Sequence, residues 1–188
     1  MKYETRNGCE QGDEPYFLNY VPPTWDETFM SDVYKSAEKS KDPCTKIGAV
    51  LVYWDKKDGF AKGYNGIARK VKDLPKRMER PEKYYWMSHA ERNVIFHCAR
   101  TGRATDGATL FTQGVPCCDC ADAIINSGIV EVVVHKQWQY YEEKFNWKKW
   151  KDSAKRSHKK FEEANVKIRV FDCVLNMDAF LDERLIHI

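Results

Sequence analysis

Two short segments of the sequence carry side chains that bind metal ions and move protons. His89 and Glu91 lie two residues apart in the first segment, and Cys117 and Cys120 lie three residues apart in the second. In the first turn of a helix, residues at i and i+3 share a face, so both thiolates can bind one ion. With one nitrogen of His89 they give three protein ligands. A tetrahedral Zn²⁺ then keeps its fourth position open for water, and Glu91 is close enough to carry that water's proton.

Each part of this pattern also has a less specific interpretation. Ser88-His89-Ala90-Glu91 has the spacing of a capping box, in which Glu91 only accepts a hydrogen bond from a helix amide. An isolated Cys-x-x-Cys can be a redox pair or half of a structural zinc site. The combination is more specific, because His-x-Glu followed by Pro-Cys-x-x-Cys is a known signature of zinc-dependent nucleobase deaminases. Cys118 lies off the shared helix face, and we do not expect it to bind the ion.

The elements that must position these residues follow an alternating pattern. Apolar periodicity predicts helices at residues 24–41, 88–101, 116–127 and 147–164. It predicts strands at residues 47–54, 60–64, 108–112, 129–135 and 166–171. His89 and Cys117 both lie at helix starts that one strand separates, so both can lie above the same point of a sheet. We therefore expect an α/β fold of three layers, a five-strand mixed sheet with helices on both faces.

Length and composition favour one soluble domain. The 188 residues fit a polar N-terminal arm at 1–23, a zinc-dependent domain at 24–172 and a C-terminal tail at 173–188 with a short helix. The longest uncharged apolar run, Ile47–Trp54, is far shorter than the roughly 20 residues that cross a bilayer. The N-terminus has no signal-peptide pattern, so we expect a cytoplasmic protein. A net charge of +3 does not favour nucleic-acid binding.

The sequence resembles the cytidine deaminase superfamily and, within it, the deoxycytidylate (dCMP) deaminases. The similarity extends from about Trp25 to Phe171 and includes Ser127-Gly128-Ile129 besides the metal motifs. Two further segments, Ser40-Lys41-Asp42-Pro43 and Gly63-Tyr64-Asn65-Gly66, favour the branch that acts on free nucleotides. The resemblance implies the cytidine-deaminase-like fold.

The resemblance also implies a reaction, the hydrolytic deamination of dCMP to dUMP and ammonia. One Zn²⁺ per subunit would be bound by His89, Cys117 and Cys120, and Glu91 would move protons between water, ring N3 and the departing amine. Asn65 would hydrogen-bond the sugar, and the backbone at Ala90 would contact the pyrimidine. Asn-Gly is also a common turn pair, so a purely structural role for Asn65 stays open.

A nucleotide phosphate needs cations, and residues 65–87 supply seven. They are Arg69, Lys70, Lys72, Lys76, Arg77, Arg80 and Lys83. The resemblance further implies a homo-oligomer, a hexamer, which dCTP activates and dTTP inhibits, with Mg²⁺ accompanying the effector. Candidate effector or phosphate contacts are Ser40, Lys41, Gly63, Tyr64, Gly66 and Arg69.

Four other hypotheses stay open. The same chemistry could act on dCTP, on free cytidine or another nucleobase, or on a polynucleotide such as tRNA or single-stranded DNA. Free cytidine or a nucleobase would leave the basic residues at 65–87 without a phosphate to bind. The polynucleotide hypothesis has support from the basic helix at 147–164, where Trp147 and Trp150 interleave with cations, but acidic residues interrupt its charge. A zinc-stabilised binding module would fill the fourth zinc position with a protein atom, and the presence of Glu91 argues against it.

Overall fold

A central five-strand sheet organises the computed structural model, which describes residues 22–53, 60–145 and 147–188. Most of the arm expected at 1–23, and Trp54 at the end of the first expected strand, lie outside the described residues. The strands are β1 (Gly48–Val52), β2 (Phe60–Tyr64), β3 (Gly66–Ile67), β4 (Met87–Ser88), β5 (Thr109–Thr112), β6 (Glu131–His135), β7 (Lys167–Phe171), β8 (Asp178–Leu181) and β9 (Arg184–His187). The helices are α1 (Trp25–Ala37), α2 (Lys83–Trp86), α3 (Ala90–Thr101), α4 (Cys118–Asn126), α5 (Lys136–Phe145) and α6 (Trp147–Glu163).

The main sheet has the strand order β2-β1-β5-β6-β7. Strand β1 is antiparallel to both of its neighbours, whereas β5, β6 and β7 are mutually parallel. The parallel strands end at the same edge, and in open α/β sheets ligands bind outside that edge. The expected mixed sheet of five strands is confirmed.

Two cores cover the two faces of this sheet. Alternate residues of β1 separate them, because Ala49 and Leu51 belong to one core and Val50 and Val52 to the other. On the first face lie α3, α4 and α6, with buried Val94, Ile124 and Phe161 among their contributions. On the second face lie α1, α5 and the C-terminal strands. The expected three-layer arrangement is therefore confirmed.

The prediction of a short helix within residues 173–188 is wrong. Strands β8 and β9 pair antiparallel there, and Asp182 and Glu183 form the connection with positive φ angles of 49° and 64°. A two-residue hairpin turn with positive φ at both positions matches the twist of the strands. The missed signal is a period of two, since Ala179, Leu181 and the residues at 186 and 188 are buried.

Several further elements were absent from the expected pattern. The segment at 65–87, expected as one long loop, contains the β3–β4 pair, a 3₁₀ turn at Pro75–Arg77 and the short helix α2. Helix α5 directly follows β6 and precedes the predicted basic helix. Among the described residues, no helix is long and apolar enough to cross a membrane.

Candidate metal centre and its pocket

The three candidate ligands lie at the starts of two neighbouring helices. His89 is the N-cap of α3 and Cys117 is the N-cap of α4, and both have extended backbone. The His89 side chain makes no cap bond to the amides of its own helix, so it is available to face a ligand. Cys120 lies one turn into α4 and is fully buried. Among the described residues, these three form the one group of His, Cys, Asp and Glu side chains that could hold a metal ion.

The distances within this group fit zinc. The Sγ atoms of Cys117 and Cys120 lie 3.4 and 3.5 Å from Nδ1 of His89. A tetrahedral Zn²⁺, with bonds of about 2.3 Å to sulfur and about 2.0 Å to nitrogen, would hold such donors about 3.5 Å apart. The donor types and their spacing therefore fit zinc, and no fourth described side chain completes the group.

Hydrogen bonds within the group favour a thiolate. The pKa of Cys117 is lowered to about 4, because its sulfur accepts hydrogen bonds from Cys120 and from His89. The pKa of Cys120 is raised, since its proton is shared with Cys117 and its thiol is buried. The pKa of His89 is raised mainly by its hydrogen bond to Cys117. A divalent cation would replace these protons, as metal binding to thiols requires.

Glu91 lies in the first turn of α3, buried beside the ligand group. Burial raises the pKa of its carboxyl group. The capping-box interpretation is wrong, because the N-cap of α3 is His89 and no side-chain cap bond forms. Ser88 Oγ, the expected capping atom, has no hydrogen-bond partner among the described residues. The carboxyl group instead lines the same pocket as His89 and Cys117.

This pocket lies at the edge where the parallel strands end. Its walls come from the loops before β1 and after β2, from α2, α3 and α4, and from α5 and α6. Trp150 of α6 lines it with its ring edge-on to the ring of His89, at a centroid distance of 6.2 Å. Trp138 and Glu142 line it from α5, the helix that the sequence pattern did not predict. Apolar periodicity alone marked neither residue as functional.

Asn65 also lines the pocket, in a fixed orientation. Its Nδ2 donates to the Thr45 carbonyl at 2.9 Å and to Asp42 Oδ2 at 3.2 Å, and its Oδ1 accepts from the Ile47 amide at 2.9 Å. Neither Asn65 nor Gly66 has positive φ, so the structural role of Asn65 lies in these side-chain hydrogen bonds and not in a left-handed turn. Ala90, the expected backbone contact, lines the pocket at the start of α3.

The six candidate effector or phosphate residues do not converge on one site. Ser40 is buried and donates to the Asn65 carbonyl at 2.9 Å. Gly63 lies against α3, where a Cβ would be 2.7 Å from the Ala90 carbonyl oxygen. Lys41 is exposed and pairs with Asp73 at 2.6 Å.

The other three candidates lie at the end of β2, in β3 and shortly after β3. The Tyr64 carbonyl accepts a hydrogen bond from Asn93, and Gly66 pairs with Ser88. Arg69 is exposed, with Nη2 3.5 Å from Nδ1 of His97. Their expected contacts with phosphate or an effector remain predictions.

Two of the seven cations at 65–87 reach the pocket. Lys83 is buried and contacts both carboxylate oxygens of Asp42, at 2.8 and 2.9 Å. Arg80 is partly exposed and donates to Asp182 at 2.9 Å. Both side chains lie on the side of the pocket formed by Asn65 and Tyr84. Sequence alone could not separate these two from the others.

Comparisons with known proteins agree with this geometry. Residues 23–136, more than half of the chain, match the family model described as the cytidine and deoxycytidylate deaminase zinc-binding region. The deoxycytidylate deaminase of Mus musculus is 35% identical over 115 residues, which cover 58% of this chain and 63% of that enzyme. The chain thus matches less than two thirds of that relative's length.

A phage relative and a solved structure are matched over nearly their whole length. The deoxycytidylate deaminase of Mycobacterium phage D29 is 33% identical over 128 residues, covering 61% of this chain and 97% of that protein. The dCMP deaminase of cyanophage S-TIM5, solved with dCMP and dUMP, superposes with a TM-score of 0.57 at 20% identity. That match covers 80% of this chain and 99% of the cyanophage chain, and it supports the fold.

Proposed function

Because the chain belongs to the cytidine and deoxycytidylate deaminase family, we propose that it deaminates dCMP to dUMP and ammonia with a bound Zn²⁺. The observation that carries this proposal is the pocket that His89, Cys117 and Glu91 line together, with Cys120 beside them. When bound in a three-ligand site of this kind, zinc lowers the pKa of water to about 7 and so supplies a nucleophile.

Glu91 carries the protons of the reaction in this proposal. Its carboxylate accepts one proton from the attacking water and delivers it to N3 of the pyrimidine. It then takes the second proton from the new C4 hydroxyl group and gives it to the amine, so that the C4–N bond breaks, ammonia leaves and C4 becomes a carbonyl. The buried position of Glu91 suits this role, because a raised pKa brings a carboxyl group closer to the neutral pH at which it must both accept and donate.

In this proposal, Asn65 and Arg80 bind the sugar and the phosphate in the same pocket. Asn65 contacts the sugar through the remaining lone pair of Oδ1, since both of its N–H groups already donate within the chain. Arg80 is our candidate for the phosphate, because its guanidinium has further donors beyond the one that contacts Asp182. Lys83 is less suited, as Asp42 already neutralises it.

The arrangement of α6 argues against a polynucleotide substrate. Trp150, Ser153 and Ala154 of this helix form a wall of the pocket. The Cys118 amide donates to Ser153 Oγ at 3.0 Å, which joins α6 to the start of α4. The aromatic residue at 150 therefore closes the pocket and does not extend a surface on which an unpaired strand could stack.

Regulation and assembly follow from the family alone in this proposal. The enzyme is a homo-oligomer, activated by dCTP with Mg²⁺ and inhibited by dTTP. Lys41 is exposed and lines a second cleft, together with Lys46 and the edge of β8, so it is our candidate for a contact with an effector phosphate.

One set of assays tests the proposal. Ammonia release is measured from dCMP, dCTP, deoxycytidine and a cytosine-bearing oligonucleotide, each with and without dCTP and Mg²⁺. We expect turnover of dCMP above the other three, and stimulation by dCTP. Preferred turnover of the oligonucleotide, or a purified protein without stoichiometric zinc, would contradict the proposal.

A further inference from the structure

A second polar pair lines the pocket away from the metal ligands. Trp138 and Glu142 lie one helical turn apart on α5, and both side chains approach Gly114. A Cβ at Gly114 would lie 3.0 Å from Trp138 Nε1 and 3.0 Å from Glu142 Oε2. An N–H donor and a carboxyl oxygen therefore border the same small space beside Gly114, which precedes Cys117 by three residues.

The donor of this pair has no hydrogen-bond partner in the part of the chain that the structure describes. Trp138 is 1% exposed, and among the described residues nothing accepts a hydrogen bond from its Nε1. Buried N–H groups are nearly always paired, because an unpaired one loses its hydration without replacement. An orphan donor that faces a pocket indicates that a ligand supplies the acceptor.

The acceptor of this pair also lacks a side-chain partner among the described residues. No hydrogen bond or ion pair joins Glu142 to another described side chain, although the residue is only partly exposed. The pKa of Glu142 is raised to about 7, first by burial and then by the nearby carboxyl groups of Glu91 and Glu143. In either protonation state, this carboxyl group has an oxygen that can accept a hydrogen bond.

The geometry points to a hydroxyl subsite: we propose that Trp138 Nε1 donates to, and Glu142 accepts from, a hydroxyl group of the bound nucleotide. A hydroxyl is the small group that accepts and donates at once, whereas a carbonyl only accepts and an amino group only donates. The glycine at 114 leaves the space for it, since a side chain there would occupy the subsite. The inference rests on the proposed function, because it assumes that this pocket holds a nucleotide.

Two parts of a nucleotide could supply this hydroxyl, and matched substrate pairs separate them. The pair dCMP and 2′,3′-dideoxy-CMP differs in the 3′-hydroxyl of the sugar. The pair 5-hydroxymethyl-dCMP and dCMP differs in a hydroxyl on the base. Within each pair, the ratio of kcat/KM measures what the hydroxyl contributes in one and the same enzyme, so partial loss of folded protein does not alter it.

The ratios are compared between wild-type protein and the variants Trp138→Phe and Glu142→Gln, with Tyr140→Phe as a control on the exposed face of α5. We expect one pair to show a wild-type preference of about tenfold or more for the hydroxylated member. Trp138→Phe is expected to reduce that preference towards one, and Glu142→Gln to weaken it, whereas Tyr140→Phe leaves it unchanged. Wild-type ratios in both pocket variants would overturn the inference and assign the orphan donor to a water molecule.

Binding measurements separate this inference from the proposed function. Calorimetric titration of the three nucleotides into zinc-loaded Glu91→Ala protein reports hydroxyl recognition without turnover. Hydroxyl-dependent binding without ammonia release by the wild type would support the subsite and contradict the deaminase proposal. Ammonia release without any hydroxyl preference would support the deaminase proposal and overturn the subsite.

Discussion

At the scale of single residues, cysteines that are neighbours in the sequence have different partners in the structure. Cys117, Cys118 and Cys120 occur within four residues, yet the described geometry groups only the first and third with His89. The Sγ of Cys118 instead donates to the Ser153 carbonyl at 3.3 Å. Helical geometry explains the difference, because positions i and i+1 do not share a face.

Substitution of these cysteines tests the ligand set. We expect Cys117→Ala to lose stoichiometric zinc, because two ligands hold the ion far more weakly than three. Cys118→Ala serves as the matched control and retains the metal. Metal content is measured by mass spectrometry on protein purified without added zinc. Loss of zinc from the Cys118 variant alone would assign the ligands differently.

We expect Glu91 to transfer protons and not to bind the metal. Glu91→Ala should retain zinc and lose roughly a hundred- to ten-thousand-fold in kcat, the range by which positioned acid–base groups contribute. Steady-state ammonia release and metal content are measured on the same preparation. Near-normal turnover in this variant would leave the residue with a structural role.

At the scale of elements, the metal centre depends on how closely α3 approaches the sheet. Gly63 in β2 faces α3, and a Cβ there would lie 2.7 Å from the Ala90 carbonyl oxygen and 2.7 Å from the Val94 amide nitrogen. Both contacts are to backbone, which cannot move aside as a side chain can. The absence of a side chain at Gly63 therefore sets the distance between the sheet and α3, the helix whose first turn carries His89 and Glu91.

A pair of glycine substitutions tests this spacing. Gly63→Ala should destabilise the protein by about 1–3 kcal/mol, the usual cost of overpacking, and should reduce turnover because the start of α3 shifts. Gly66→Ala is the control, since a Cβ at that position meets nothing within 4 Å. Urea unfolding and kcat are compared for the two variants. Equal effects of both substitutions would show that the approach of α3 is not the cause.

At the scale of the whole molecule, two core layers bring distant segments to one edge of the sheet. Family membership and fold agree with the resemblance expected from the sequence, so both are confirmed. The pocket combines residues from the β2 loop, from α3 and α4, and from α5 and α6. Such a convergence buries several carboxyl groups together, and global stability should depend on pH as a result.

The raised pKa of Glu142 determines the direction in which the stability of the protein changes with pH. Its folded pKa of about 7 lies above the ordinary value of 4.5, so the folded state holds its proton more tightly than the unfolded state. The resulting stability is fully present below about pH 4.5 and is lost as the pH rises to about 7. Glu142→Gln removes this loss and should gain stability relative to wild type between pH 5 and pH 8. Urea unfolding at pH 5 and at pH 8 measures the free energy of unfolding of both proteins. If the variant and the wild type differ by the same amount at both pH values, the pKa of Glu142 is not raised in the folded state.

The sequence by itself determined the candidate metal ligands, Glu91 and the five-strand sheet. These follow from local rules, because side-chain spacing within one helical turn and apolar periodicity within one strand do not depend on the rest of the chain. The tertiary structure alone decided that Trp138 and Glu142 face the pocket and that Arg80 and Lys83 reach it. These features depend on packing between segments far apart in sequence, and no local pattern encodes which side chains such packing leaves without a partner.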